Sequence, residues 1–289
     1  MGRVTVRKQV TRLTVGQPAS VAPDTLVAEE PLEMRVAGRA LAVTMRTPGD
    51  DMDLLAGFLV SEGVIRTRGD LSEMRYCAGL DDAGHNTYNV LDATLASHVA
   101  PVETSMQRAL VTTSACGLCG KATIDDVEVT SPYSLAADEL SVDAGWICSL
   151  PDRLRAAQRL FDRTGGLHAA ALFDAATDEL LVLREDVGRH NAVDKVLGWA
   201  LREGRLPLRG TVLLVSGRAS FELVQKASLA GIPMMAAISA PSSLAVGLAE
   251  RVGLTLIGFL RAPTMVIYAA AVRVRDDAVA AEPDHAPIR

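Results

Sequence analysis

The chain of 289 residues carries 29 Lys and Arg against 35 Asp and Glu, for a formal net charge of −6, and 49% of it is apolar but only 4% aromatic. It is long enough for two domains of ordinary size built on aliphatic cores. Without a dense Lys/Arg run, it lacks the basic surface by which a general nucleic-acid binder displaces counterions.

The N-terminus, MGRVTVRKQV, has no apolar h-region, so no signal peptide is expected. Val6 stands where a myristoylation signal needs Ser or Thr. Residues 227–249 contain no charge and could span a bilayer on length alone. Gly231-Ile232-Pro233 and Pro241-Ser242-Ser243 break the stretch, which predicts strand, turn and helix inside a buried sheet and no membrane span. A cytoplasmic protein is the expectation.

In chain order, residues 1–24 read as an irregular arm with one strand. Residues 31–45 alternate Leu32, Met34 and Val36, turn at Gly38-Arg39, then alternate Leu41, Val43 and Met45, which predicts a hairpin. Thr47-Pro48-Gly49-Asp50-Asp51 reads as a helix start with acidic residues at the positive end of the dipole. Leu54, Leu55, Phe58 and Leu59 give that helix an apolar face, and Gly63 ends it. Residues 81–86 form a turn-rich loop and 87–94 a strand. Residues 105–121, rich in Ser, Thr and Gly, read as a mobile loop, and 122–150 as a connector. The expectation is a small α+β domain over residues 1–135.

Residues 136–289 predict a second, α/β domain. An amphipathic helix over 151–163 is followed by strands at 169–173 and 180–183 and a helix over 189–201. Then come a strand at 211–215, a helix at 219–230, a strand at 234–238, a helix at 242–251 and a strand at 254–260. The last five elements are two successive βαβ units, which give a mostly parallel sheet. Ligands of open α/β sheets sit at the carboxyl edge of the strands. There the sequence places Ser216-Gly217-Arg218, Ser239-Ala240-Pro241-Ser242-Ser243 and Phe259-Leu260-Arg261-Ala262-Pro263-Thr264. Free helix N–H groups and the guanidinium forks of Arg218 and Arg261 suit an anionic nucleotide. Tight β–α turns with ordinary surface arginines would give the same residues, and no P-loop or GxGxxG fingerprint decides between the two.

Four cysteines, Cys77, Cys116, Cys119 and Cys148, are expected as reduced thiols. Only Cys116-Gly117-Leu118-Cys119 has a functional spacing. A CxxC is half a zinc site, a redox dithiol or a persulfide carrier. A closed zinc site needs four ligands, and no second pair exists; Cys77 and Cys148 read as buried small hydrophobes. A redox dithiol usually opens a helix. Here Gly117, Gly120 and small residues favour a flexible loop, as a carrier needs, and Lys121 helps to maintain a thiolate.

Several stretches together resemble the FdhD family, the sulfurtransferases that mature molybdenum-dependent formate dehydrogenases. They are Glu29-Glu30-Pro31-Leu32-Glu33, Arg46-Thr47-Pro48-Gly49-Asp50-Asp51, Thr113-Ser114-Ala115-Cys116-Gly117-Leu118-Cys119-Gly120-Lys121 and Thr164-Gly165-Gly166-Leu167-His168-Ala169-Ala170. Further on stand Arg184-Glu185-Asp186-Val187-Gly188-Arg189-His190-Asn191-Ala192-Val193-Asp194-Lys195, Ser216-Gly217-Arg218-Ala219-Ser220-Phe221-Glu222 and Ser239-Ala240-Pro241-Ser242-Ser243. They span roughly residues 29–268, and the set is specific where any one would be weak.

The resemblance implies that a cysteine desulfurase loads a persulfide on Cys116, the first cysteine of the pair; Cys119 is expected to be catalytic with it, its separate role left open. The sulfur would pass to the molybdenum cofactor carrying two molybdopterin guanine dinucleotides, for a formate dehydrogenase catalytic subunit. It implies cofactor binding by residues 259–264, with GDP as a mimic, and a homodimer. It also implies a cytidine-deaminase-like three-layer second domain. Zinc deamination is not expected, because a deaminase needs His or Cys with Glu at one helix start and Pro-Cys-x-x-Cys at the next. Here those starts read Gly188-Arg189-His190-Asn191 and Gly217-Arg218-Ala219-Ser220, so no metal is expected. His190 and Asp194, four apart on one helix, are placed to hydrogen-bond each other. His168 reads as structural, His190 as structural or as a cofactor contact, and Glu185-Asp186 as helix-cap chemistry. The alternative function is a chaperone that delivers the cofactor without sulfur chemistry.

Overall fold

A computed structural model describes residues 4–77, 79, 87–102 and 129–276. Cys116, Cys119, the loop expected over 105–121 and the turn-rich segment 81–86 lie outside the described residues.

The arm is more regular than the sequence predicts. Strands β1 (Thr5–Arg12) and β2 (Ser20–Val27) pair antiparallel along their full length. Their polar, mixed composition hides the ribbon, because neither face is buried enough to leave an alternating pattern. The expected hairpin forms as β3 (Glu30–Val36) and β4 (Arg39–Arg46). Its turn residues Ala37 and Gly38 have φ of 51° and 78°, the left-handed pair that a tight hairpin turn requires. β5 (Leu71–Tyr76) and β6 (Val90–Leu95) complete a four-stranded sheet of order β4-β3-β6-β5. Helix α1 (Asp51–Ser61) covers it, burying Leu54, Leu55 and Leu59 against Leu32, Met34 and Leu91. Gly63, with φ of 72°, lies just past the end of α1.

The connector expected over 122–150 ends in a helix. α2 runs Ala144–Ala157, with Asp143 accepting from Trp146 N at its cap and Pro151 inside it; a short α3 follows at Arg159–Thr164. β7 (Val142–Asp143) precedes α2. Then come β8 (His168–Asp174), β9 (Glu179–Asp186), α4 (Arg189–Arg202), β10 (Thr211–Val215) and α5 (Phe221–Leu229). β11 (Met234–Ala237), α6 (Ser243–Val252), β12 (Thr255–Arg261), β13 (Thr264–Ala269) and β14 (Val274–Arg275) complete the order.

The main sheet has the order β13-β12-β11-β10-β8-β9. β10, β11 and β12 are parallel, as two βαβ units require. The flanks are antiparallel, so the sheet is mixed and not mostly parallel. β8–β9 and β12–β13 are joined by turns far too short for a crossover. Alternate residues of each central strand face opposite layers. Ala170, Leu172, Leu213, Val215, Met235 and Ala237 pack on α4, α5 and α6. Ala171, Phe173, Val212, Leu214, Met234 and Ala236 pack on Ile147, Leu150 and Leu154 of α2. The result is a three-layer α/β unit beside an α+β sheet.

Helices α1 and α4 join the two parts by direct backbone contact. A Cβ on Gly57 would lie 1.8 Å from Asp194 O, and one on Gly198 would lie 1.8 Å from Asp53 O. Polar groups close the same seam. Asp186 accepts from Thr47 N at 3.1 Å and pairs with Lys195 at 2.7 Å, and Lys195 Nζ donates to Thr47 O. Asp194 receives hydrogen bonds from Ser61 Oγ at 2.6 Å and from Lys226 Nζ at 2.6 and 2.8 Å. Each of these buried charges has a partner, as burial demands.

Candidate functional site

The carboxyl edge of the main sheet gathers more helix starts than the three parallel strands imply. β8 is antiparallel to both β9 and β10, so β9 runs in the same direction as β10. The N-terminus of α4 therefore emerges at the same edge as those of α5 and α6. A cleft of about 340 Å³ opens there, with Arg189, Arg218, Ser220, Pro241 and Ser242 among its lining residues. The loops after β10 and β11 are stitched together beneath it. Ala219 N donates to Ala240 O at 3.2 Å, and Ser242 N donates to Ala219 O at 3.0 Å.

The expected site residues divide across this edge. Arg218 is exposed in the cleft. Ser216 is bonded to β8, its N–H donating to Ala169 O and its hydroxyl accepting from Ala169 N, both close to 2.9–3.0 Å. Gly217 sits where a Cβ would press on His168 Nδ1 and Arg189 Cδ at 3.5 and 3.6 Å. Residues 259–264 comprise the end of β12, the Ala262-Pro263 turn and the first residue of β13. Phe259 is exposed, has φ of 49° and donates its N–H to Ser239 O; Gly258 leaves no room for a Cβ, which would lie 2.8 Å from Pro241 Cδ. That packing brings the turn against the loop that lines the cleft. Arg261, Ala262, Pro263 and Thr264 are exposed, and Thr264 Oγ1 donates to Arg261 O. Leu260 is fully buried in the opposite layer, so its side chain is core.

Two helix starts meet behind the cleft. His190 Nε2 lies 2.7 Å from Glu222 Oε2 and 3.3 Å from Ser220 Oγ. Nε2 of His190 turns to α5, while Asp194, four residues on, accepts from Lys226 and Ser61. His168 is half-buried. Burial first, then the charges of Arg189 and His190, hold its pKa below the ordinary value against the opposing pull of Asp186. Asp186 caps the turn before α4 by accepting from Gly188 N, while Glu185 accepts from Leu160 N and Phe161 N at the start of α3. Among the described residues, no cluster of three His, Cys, Asp or Glu is placed to hold a metal ion, and no helix is long and apolar enough to cross a membrane.

Arg189, Glu222 and Ser220 were not among the residues expected to bind a ligand. Ser220 and Glu222 start the helix after β10, at the expected edge; the signal for Arg189 lies in the strand directions, because two successive reversals around β8 return β9, and hence α4, to that edge.

The model of the FdhD/NarQ family matches residues 27–275. The chain is 58% identical over 272 residues to the sulfur carrier protein FdhD of Mycolicibacterium paratuberculosis, covering 94% of this chain and 99% of that one. It is also 58% identical over 283 residues to the sulfur carrier protein FdhD of Streptomyces avermitilis, covering 98% and 100%. A crystal structure of a candidate formate dehydrogenase accessory protein from Desulfotalea psychrophila shares the fold with a TM-score of 0.73 at 23% identity, over 94% of this chain and 100% of that one. The identity to the sulfur carriers extends over nearly the whole length, and the family match takes in both parts of the fold: the chain belongs to the FdhD/NarQ family.

Proposed function

We propose that the chain is a sulfur carrier that accepts persulfide sulfur from a cysteine desulfurase on Cys116 and passes it to the molybdenum cofactor bearing two molybdopterin guanine dinucleotides. The acceptor enzyme is a formate dehydrogenase, and the protein works as a cytoplasmic homodimer. Family membership supports the carrier role. Cys116-Gly117-Leu118-Cys119 supplies a thiol pair with small flanking residues, and Lys121 adds positive charge that favours the thiolate. Cys119 assists by relaying or resolving the persulfide.

The observation that carries the substrate assignment is the cleft at the carboxyl edge. It combines two arginines and three helix N-termini with the adjoining segment 259–264. Anionic nucleotides bind at such edges because aligned N–H groups and guanidinium forks match phosphate oxygens. The cofactor is the substrate here, and GDP stands in for one of its ends.

Calorimetric titration tests this. GDP should bind the parent chain, Arg218→Ala should weaken it about tenfold through loss of a charged hydrogen bond, and Cys116→Ala should bind GDP like the parent. An Arg218→Ala variant with unchanged GDP affinity would move the nucleotide site elsewhere.

A further inference from the structure

The cleft lining presents hydrogen-bond donors over floor carbonyls that are already occupied; Glu222 Oε1, buried without a partner among the described residues, lies behind the lining and is not part of it. Glu222, 9% exposed, holds a carboxylate oxygen 2.7 Å from His190 Nε2, which keeps a proton on that nitrogen. The same nitrogen is 3.3 Å from Ser220 Oγ, and with its proton facing Glu222 it has no lone pair to take the serine proton. Ser220 stands at the cap position of α5 without making a side-chain cap bond, and its own proton remains to be donated toward the cleft. Ser242 reaches the same state by another route: its Oγ accepts from Ala245 N at 3.2 Å and its proton is likewise outward. The two carbonyls of the floor, Ala219 O and Ala240 O, are taken by Ser242 N and Ala219 N. Arg189 and Arg218 have no acceptor to offer, and Arg189 Nε is buried without a partner among the described residues.

We infer that this cleft is a phosphoryl pocket, selective for an acceptor-only diphosphate and not for a base or sugar, in which Arg189 is a binding residue and His190 with Glu222 positions the Ser220 hydroxyl. Ribose hydroxyls and purine edges carry donors that would meet donors here. Phosphate oxygens carry none and would satisfy all four side chains. The inference rests on the cleft being the nucleotide site and specifies which part of the nucleotide enters it.

The test is calorimetry and competition with pyrophosphate, GDP and guanosine on the full chain. Pyrophosphate should bind and compete with GDP, and guanosine should do neither. Ser220→Ala and Arg189→Ala should each weaken pyrophosphate and GDP about tenfold. His190→Gln should match Ser220→Ala and add nothing in the Ser220→Ala background, a non-additivity that general loosening of the fold would not give. Should His190→Gln fail to fold, Ser220→Ala and Arg189→Ala decide the matter alone. GDP binding that pyrophosphate cannot displace, or that both variants retain in full, overturns the phosphoryl pocket while leaving the nucleotide reading intact. Pyrophosphate binding with the stated losses but no GDP binding upholds the pocket and defeats the nucleotide reading.

Discussion

His168 opens β8 beside Arg189 and His190, and its lowered pKa ties the stability of this edge to pH. Between the lowered value and 6.5 the unfolded chain binds more protons at this site than the folded one. Stability is therefore fully retained above the unfolded pKa and is lost as pH falls through that window. Urea midpoints measured between about pH 7.5 and pH 5.5 should drop for the parent, and drop less for His168→Gln. Equal drops would show that His168 titrates as it does in the unfolded chain. Other ionised residues here are legible only as motifs. Arg46 reads in sequence only as the first residue of a stretch that resembles the family. In the fold it is fully buried, pairs with Asp51 at 2.9 and 3.0 Å, and also donates to Asn89 Oδ1. Asp51 is near in sequence, but nothing local to the chain indicates that Asn89, just before β6, closes the same site.

At the scale of elements, the crossing of α1 and α4 fixes the α+β sheet against the α/β unit. Gly57→Ala and Gly198→Ala each place a methyl inside a backbone carbonyl of the facing helix, and that helix cannot yield without parting the seam. Each should destabilise by about 3 kcal/mol or more, as overpacking of a tight contact does. Gly247→Ala, in α6, is the contrast. Its Cβ would meet only Arg251 Nη1 at 3.6 Å, so helix propensity should raise stability by roughly 0.5–1 kcal/mol. Denaturant midpoints measure all three, and a Gly57→Ala variant as stable as the parent would mean that the helices are not in backbone contact.

The same elements show what periodicity carries. β10 is read from sequence to the residue because Thr211 and four apolar residues are bounded by breakers, and α4 to within one residue because its apolar spacing is helical. α2 is read seven residues late because Pro151 favours the first turn of a helix, yet here it stands mid-helix. β13 is missed because its alternation begins inside the turn assigned to ligand binding.

For the whole molecule, the ligand edge is legible because parallel strands must end together, and Arg218 falls on it as expected. Arg189 and the His190–Glu222 pair are not legible, because their place depends on the direction of β9, which follows only from knowing that β8 is antiparallel to both neighbours. Arg261, expected as the second phosphate ligand, stands outside the cleft lining at the end of β12, while Arg189 comes from the helix that crosses from β9 to β10 over β8.

Sulfur loading on Cys116 is chemically independent of the phosphoryl cleft. The thiolate is the species that attacks a persulfide, and its reactivity follows exposure and lowered pKa. The most direct measurement is intact-protein mass spectrometry after incubation with a cysteine desulfurase and cysteine, with peptide mapping of the product. The parent should gain the mass of one sulfur atom, located on Cys116. Cys119→Ala should retain loading, and Cys116→Ala should show none and leave formate dehydrogenase inactive. Sulfur loading and full formate dehydrogenase activity in Cys116→Ala would contradict the carrier role and leave a chaperone that delivers the cofactor without sulfur chemistry.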